Sequence, residues 1–127
     1  MWIWEKGLTN FQQTTLKPEM QKISKIVLLE MFNDKRARDI AIEEFFTRQQ
    51  KVTKTIFILM QKKGLIKKFL DAKILAQEYS YGMLGMQFEY NILNNWNLDT
   101  ADIIKKMLNH ITFISEYAKV VKRGEKQ

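Results

Sequence analysis

The stretch from Asp71 to Leu93, DAKILAQEYSYGMLGMQFEYNIL, constrains the fold more than any other part of the chain. At about 100° of rotation per helical residue, its apolar residues divide into two faces. The first face carries Leu75, Tyr79, Gly82, Met86, Tyr90 and Leu93. The second face carries Ile74, Tyr81, Leu84, Gly85, Phe88 and Ile92. An ordinary surface helix has one apolar stripe, so two stripes predict that two bodies cover this helix.

Two glycines, Gly82 and Gly85, lie in the middle of this predicted helix. Glycine lowers helix stability, so its presence there favours a packing reason, such as the close approach of another backbone. In a chain of 127 residues, the second body could be another copy of the chain. The alternative is a central helix that is buried on both sides within one bundle. The first interpretation predicts a homodimer.

Length and composition predict one folded domain over residues 1–127, with 46% hydrophobic and 12% aromatic residues to build a core. The chain has no cysteine and one histidine, His110, so we expect a reducing cytoplasmic location, no metal site and no cofactor. The opening MWIW is too short for a signal peptide, and no apolar run reaches membrane-spanning length. We therefore expect no membrane partner.

The formal net charge is +7, which would suit a nucleic-acid surface. The basic residues are nevertheless spread along the chain as pairs and short clusters, which favours solvated helix faces.

Helical spacing of apolar residues recurs in the first third of the chain. The segment Trp2–Thr15 begins its apolar pattern without a capping residue. We therefore expect either that the natural protein continues upstream or that Trp2 and Trp4 rest against the body of the domain. Pro18 is typical of a helix start, and the helix that it opens should end near Asn33. Glu30 lies on the apolar stripe of that helix, where a carboxylate needs a partner or a function. We favour a paired or edge-exposed glutamate.

The rest of the chain predicts three more helices. The longest periodic segment runs from Lys35 to Lys63, and Gly64 should end it. Asp71 is a candidate cap for the central helix, and Asp99 or Thr100 for the last one. No strand pattern occurs, so the sequence predicts an all-α bundle of about five helices.

The run KKGLIKKFLDAKILAQEYSYGMLGMQFEYNIL, followed by an Asp/Thr-capped terminal helix, resembles the C-terminal effector-binding and dimerisation domain of TetR-family transcriptional regulators. Gly64, Ala76 and Gly85 stand at the matching places, and LLEMF at residues 28–32 resembles the second helix of that domain. The resemblance covers most of the chain. It implies that the last two helices form a four-helix bundle across a two-fold axis.

The dimer interface expected from the two apolar faces and from the resemblance lies on the central and last helices. It comprises Tyr79, Gly82, Met83, Gly85, Met86, Tyr90, Ile104, Met107, Leu108, Ile111 and Ile114. The last helix also carries His110 at the margin of its apolar arc, which is typical of a hydrogen-bonded interface histidine.

The resemblance further implies a small-molecule effector pocket among the first helices, whose occupation switches the dimer. Candidate lining residues are Phe11, Met20, Ile23, Val27, Phe45, Gln49, Thr53 and Met60, with Glu30 as a polar anchor. Methionine and aromatic side chains suit a large hydrophobic effector, and a buried carboxylate would favour a cationic one. The alternatives are that these residues fill the core and that Gln49 and Thr53 hydrogen-bond within the bundle.

The chain departs from the family at its N-terminus, because nothing before Trp2 could supply the helix-turn-helix domain that reads DNA. We therefore expect the regulatory half of a repressor, which contacts operator DNA only through a missing N-terminal domain. A stand-alone helical dimeric interaction module without a ligand is the alternative. An enzyme is not expected, because the sequence has no set of nucleophile, base and orienting residue and no phosphate loop.

Overall fold

The computed structural model describes residues 18–121 of the chain. These residues form five α-helices and one π-helical segment, which lies between α2 and α3. The helices are α1 (Pro18–Glu30), α2 (Lys35–Ala41), α3 (Arg48–Lys62), α4 (Ala72–Asn95) and α5 (Ala101–Ala118), and the π-helical segment is Ile42–Thr47. Within residues 18–121 the only strand-like pairing is an isolated bridge between Ile66 and Lys119. The predicted all-α class is confirmed, and the predicted helix Trp2–Thr15 lies outside the described residues.

Local sequence signals set the boundaries around α4. Gly64 has a φ of 76°, a left-handed conformation that glycine adopts without strain, and it lies in the turn that follows α3. The side chain of Asp71 accepts hydrogen bonds from the backbone N–H groups of Lys73 and Ile74, so it caps α4. Both predictions are confirmed.

Two further aspartates begin helices. The carboxylate of Asp34 accepts a hydrogen bond of 2.9 Å from the backbone N–H of Ala37 and caps α2. At the start of α5, the carboxylate of Asp99 accepts a hydrogen bond of 2.9 Å from the backbone N–H of Ala101. Thr100 occupies the cap position without a side-chain bond, so Asp99 supplies the capping interaction.

The predicted helix from Lys35 to Lys63 is interrupted by the π-helical segment. The backbone N–H of Arg48 donates to the carbonyl oxygen of Glu43, five residues earlier, as a π-turn requires. Such a turn contains more residues than an α-turn, so the side chains beyond it are rotated relative to a regular helix. Phe46, inside the segment, lies with its ring centroid 6.0 Å from that of Tyr81 on α4.

The core lies where α4 packs between α3 and α5. Its buried residues are Phe57, Met60, Ile66, Ala72, Leu75, Ala76, Met83, Tyr90, Ile103, Met107, Ile111, Ile114 and Ala118. The α1 helix packs mainly on α2. It also reaches the C-terminal end of α4, where Lys25 Nζ donates to Asn95 Oδ1 over 3.2 Å. In this part of the chain, no helix has both the length and the apolar content that a bilayer crossing needs.

Candidate functional site

The first apolar face of α4 is covered within the chain, by α5 at His110 and by α3 at Phe57, whose ring centroid lies 5.9 Å from that of Tyr79. His110 Nε2 lies 3.1 Å from the carbonyl oxygen of Tyr79, and the two rings stack with centroids 5.7 Å apart. At the same crossing Gly82 leaves room for the imidazole ring. His110 is therefore hydrogen-bonded within a helix interface, as its position in the sequence predicts. Gly82 accommodates a side chain of the same molecule.

The second apolar face of α4 remains largely uncovered. Ile74, Tyr81, Phe88 and Ile92 are each about half exposed, although all four are large hydrophobic residues. A Cβ added at Gly85 would meet nothing within 4 Å. Among the described residues, the ring of Phe46 reaches this face at Tyr81.

Most of the residues predicted for the dimer interface are buried or partly buried within the chain itself. Met83, Tyr90, Met107, Ile111 and Ile114 are buried in the core of the chain itself. Tyr79, Met86 and Ile104 are partly buried against that core, and Gly82 lies beneath His110. Only Gly85 and Leu108 of this set are exposed. The homodimer stays a prediction, and the second face of α4 is one of the apolar surfaces that the described residues leave partly exposed.

The residues predicted to line an effector pocket are dispersed. Phe11 and the side chain of Met20 lie outside the described residues, Val27 and Met60 are buried, and Phe45 is half-buried. Ile23, Glu30 and Gln49 are exposed, so Glu30 is the edge-exposed glutamate that the sequence favoured. The Thr53 and Ser80 hydroxyls lie 3.5 Å apart, which supports hydrogen bonding within the bundle for Thr53.

A cavity of about 360 Å³ lies elsewhere, between α1 with its following turn and the C-terminal part of α4. We call it the α1–α4 cleft. Most of its wall is apolar or aromatic. Its lining residues are Lys25, Leu28, Leu29, Met31, Phe32, Phe88, Asn91, Ile92, Asn94, Asn95 and Trp96. None of the nine predicted pocket residues is among them.

The polar residues that line the cleft are one lysine and three asparagines. Lys25 is the charged residue of its lining, and no carboxylate faces it from that set. The side-chain oxygen of Asn91 is buried and has no hydrogen-bond partner among the described residues. A buried acceptor without a donor lowers stability, so such a group needs an explanation. A ligand that donates a hydrogen bond would provide one.

Sequence reasoning missed this cleft, although parts of its signal were present. LLEMF at residues 28–32 contains more apolar residues than one helix stripe requires. Trp96 stands in an otherwise polar turn, and Phe88 and Ile92 lie on the second face of α4. What the sequence could not show is that these three groups meet.

Other chemistry is sparse in residues 18–121. Burial raises the pKa of the Tyr79 phenol above its ordinary value. No three histidine or carboxylate side chains of this region lie close enough together to hold a metal ion. Comparisons of the chain with protein-family models, with curated proteins and with solved structures found no match.

Proposed function

We propose that this domain is the regulatory half of a TetR-like transcriptional repressor, which binds a small apolar effector in the α1–α4 cleft and dimerises through the second face of α4. The volume of the cleft, about 360 Å³, falls within the usual range of small-molecule sites. Its apolar wall with a few polar groups is also typical of such sites. In this proposal, operator DNA is contacted by a separate helix-turn-helix domain and not by residues 18–121.

One observation carries the proposal: Phe88 and Ile92 belong both to the wall of the cleft and to the second face of α4. A molecule in the cleft and a partner on that face would therefore contact the same two side chains. The monomer and the dimer would hold these side chains in different arrangements. If the effector binds the two states with different affinities, it changes the dimerisation constant by the ratio of those affinities. Dimerisation must then change effector affinity by that factor in return.

The spacing of the second face supports a helix as the partner. Tyr81, Gly85, Phe88 and Ile92 follow one another at intervals of four, three and four residues. This is the spacing at which two helices pack at a shallow angle, about 20°. We call the row Tyr81, Gly85, Phe88 and Ile92 the seam. Because a Cβ at Gly85 would meet nothing within 4 Å, the backbone of a second α4 can come close at the middle of this seam.

The lining of the cleft also narrows the effector class. Lys25 favours a neutral or acidic molecule, and the unpaired oxygen of Asn91 favours one that donates a hydrogen bond. The sequence suggested a cationic effector with Glu30 as its anchor. Because Glu30 is exposed and does not line the cleft, that anchor is not available there.

The test uses hydroxynaphthoate as the probe, because it combines an aromatic frame with an acidic group and a hydroxyl donor. We expect it to raise the melting temperature and to shift the monomer–dimer equilibrium in sedimentation experiments. The cation naphthylmethylammonium should do neither. Phe88→Ala should weaken both effects, whereas Phe113→Ala, which removes an exposed ring of α5, should leave them unchanged. A monomer that does not respond to the probe would refute the proposal.

A second candidate is a stand-alone helical interaction module without a ligand. At the mouth of the cleft Phe32 is 85% exposed and Trp96 is 71% exposed. The exposed surface of these two rings is larger than a small molecule inside the cleft would cover. Such anchors suit the apolar face of a partner helix. A dimer whose stability no small apolar probe changes would favour this module.

A further inference from the structure

The fold gathers lysines that the sequence separates. The turn between α3 and α4 lies against the end of α5, because the backbone N–H of Lys67 donates to the carbonyl oxygen of Ala118 over 2.9 Å. On the other side of the same contact, the N–H of Val120 donates to the carbonyl oxygen of Leu65 over 3.2 Å. We call the resulting surface the lysine end. Its cations are Lys62, Lys63, Lys67, Lys68 and Lys119.

The lysine end is held in one shape. Gln61 Nε2 donates to the carbonyl oxygens of Lys67 and Leu70, at 3.1 and 2.8 Å. Ile66 is 1% exposed and anchors the turn in the core. The lysines are therefore presented on a pre-organised turn, which lowers the entropy lost when a ligand binds.

Within the described residues, Lys119 is the one lysine of this surface that forms an ion pair. The carboxylate of Asp71 caps α4, and that of Glu116 pairs with Lys119 at 2.9 Å. Lys62, Lys63 and Lys68 are exposed, and no ion pair joins them to another described residue. Lysines stabilise the C-terminal end of a helix through its dipole. One or two lysines near the end of α3 are enough for this effect, so it does not account for all five.

Exposed aromatic rings accompany the lysines. Phe69 is 82% exposed and follows Lys68 directly. Phe113 and Tyr117 lie one turn apart on the same side of α5, and both are exposed. Lys67 Nζ lies 5.8 Å from the centroid of the Tyr117 ring and donates to its carbonyl oxygen over 3.0 Å. Phe69 and Tyr117 therefore lie close to lysines of this surface.

We propose that the lysine end binds single-stranded nucleic acid without base preference. Lysines neutralise phosphates, and exposed rings stack on unpaired bases, which a duplex does not offer. Aromatic rings carry more of the exposed apolar surface here than the aliphatic neighbours Leu65 and Val120 do, so base stacking fits better than insertion into a bilayer. This activity does not depend on the proposed function, because the lysine end and the α1–α4 cleft lie at opposite ends of α4. The 24 residues of that helix span about 36 Å.

The experiment measures the anisotropy of a labelled oligothymidylate against the whole chain. Lys62→Gln/Lys63→Gln/Lys68→Gln should weaken binding about tenfold and should reduce the slope of log K against log salt by about 2. A matched triple, Lys51→Gln/Lys54→Gln/Lys105→Gln, removes the same charge from exposed sites elsewhere and should weaken binding only slightly. Phe69→Ala should also weaken binding roughly tenfold. Phe32→Ala removes an equally exposed ring at the cleft and should not.

Three results would overturn the proposal. Equal losses from the two lysine triples would show diffuse attraction by the net charge. An unchanged affinity in Phe69→Ala would exclude stacking at this site. Binding to phosphatidylserine vesicles that depends on Phe69, without binding to the oligonucleotide, would assign the surface to anionic membranes. Circular dichroism melting of each variant checks that the fold is retained. The hydroxynaphthoate and sedimentation experiments test the α1–α4 cleft independently, so either proposal can fail without the other.

Discussion

The imidazole ring of His110 lies directly over Gly82, with its Cε1 only 2.5 Å from where a Cβ on residue 82 would be. This closeness brings His110 Nε2 within 3.1 Å of the Tyr79 carbonyl oxygen, to which it donates. Gly85, three residues further along α4, meets nothing within 4 Å. The two glycines of one helix therefore have different environments, and the difference can be measured.

Gly82→Ala should destabilise the fold, because the added methyl group must displace a ring that is packed between α4 and α5. Overpacking of this kind costs about 1–3 kcal/mol. Gly85→Ala should instead stabilise the monomer by about 1 kcal/mol, through helix propensity alone. Urea unfolding at a protein concentration where the chain is monomeric measures both. Equal effects at the two positions would contradict the different roles assigned to them.

Gly85→Leu should prevent dimerisation while leaving the monomer folded, because the new side chain occupies the middle of the seam on α4. Sedimentation velocity across micromolar concentrations measures the change. Asn109→Leu, which adds the same side chain at an exposed position on α5, is the control and should leave the dimer intact. If Gly85→Leu dimerises as the wild type does, the second face of α4 is not the interface.

Asn91→Leu should raise stability in the absence of ligand, since it replaces a buried acceptor that has no donor with an apolar side chain of similar shape. The expected gain is about 1–3 kcal/mol. The same substitution should remove the preference of the cleft for hydroxynaphthoate over naphthoate, which lacks the hydroxyl donor. Calorimetric titration measures that preference. A loss of stability without a change in preference would mean that the amide serves the fold and not a ligand.

The free energy of unfolding should fall above about pH 10 because of Tyr79. Burial raises the pKa of this phenol above 10.0 in the folded state, so the unfolded chain releases the proton first as the pH rises. The contribution of Tyr79 to the free energy of unfolding is therefore complete below pH 10. It is lost as the pH rises through the pKa that the phenol has in the folded state. Tyr79→Phe should show a smaller decline than the wild type in urea unfolding. An equal decline in Tyr79→Phe and in the wild type would contradict the assignment to Tyr79.

The sequence by itself determined the helical class, the turn at Gly64 and the caps at Asp71 and Asp99. The turn and the two caps each depend on residues within one helical turn of one another, and the helical class follows from the apolar periodicity of each segment. It also determined that α4 has two apolar faces, because that follows from the helical repeat alone.

Only the tertiary structure decided which face of α4 is buried, and therefore that Tyr81, Phe88 and Ile92 remain about half exposed. Periodicity shows that a face is apolar, but it does not show which body packs on it. The π-helical segment Ile42–Thr47 likewise lies outside a regular 3.6-residue pattern. The α1–α4 cleft and the lysine end each join segments that are far apart in sequence, so long-range packing creates both surfaces.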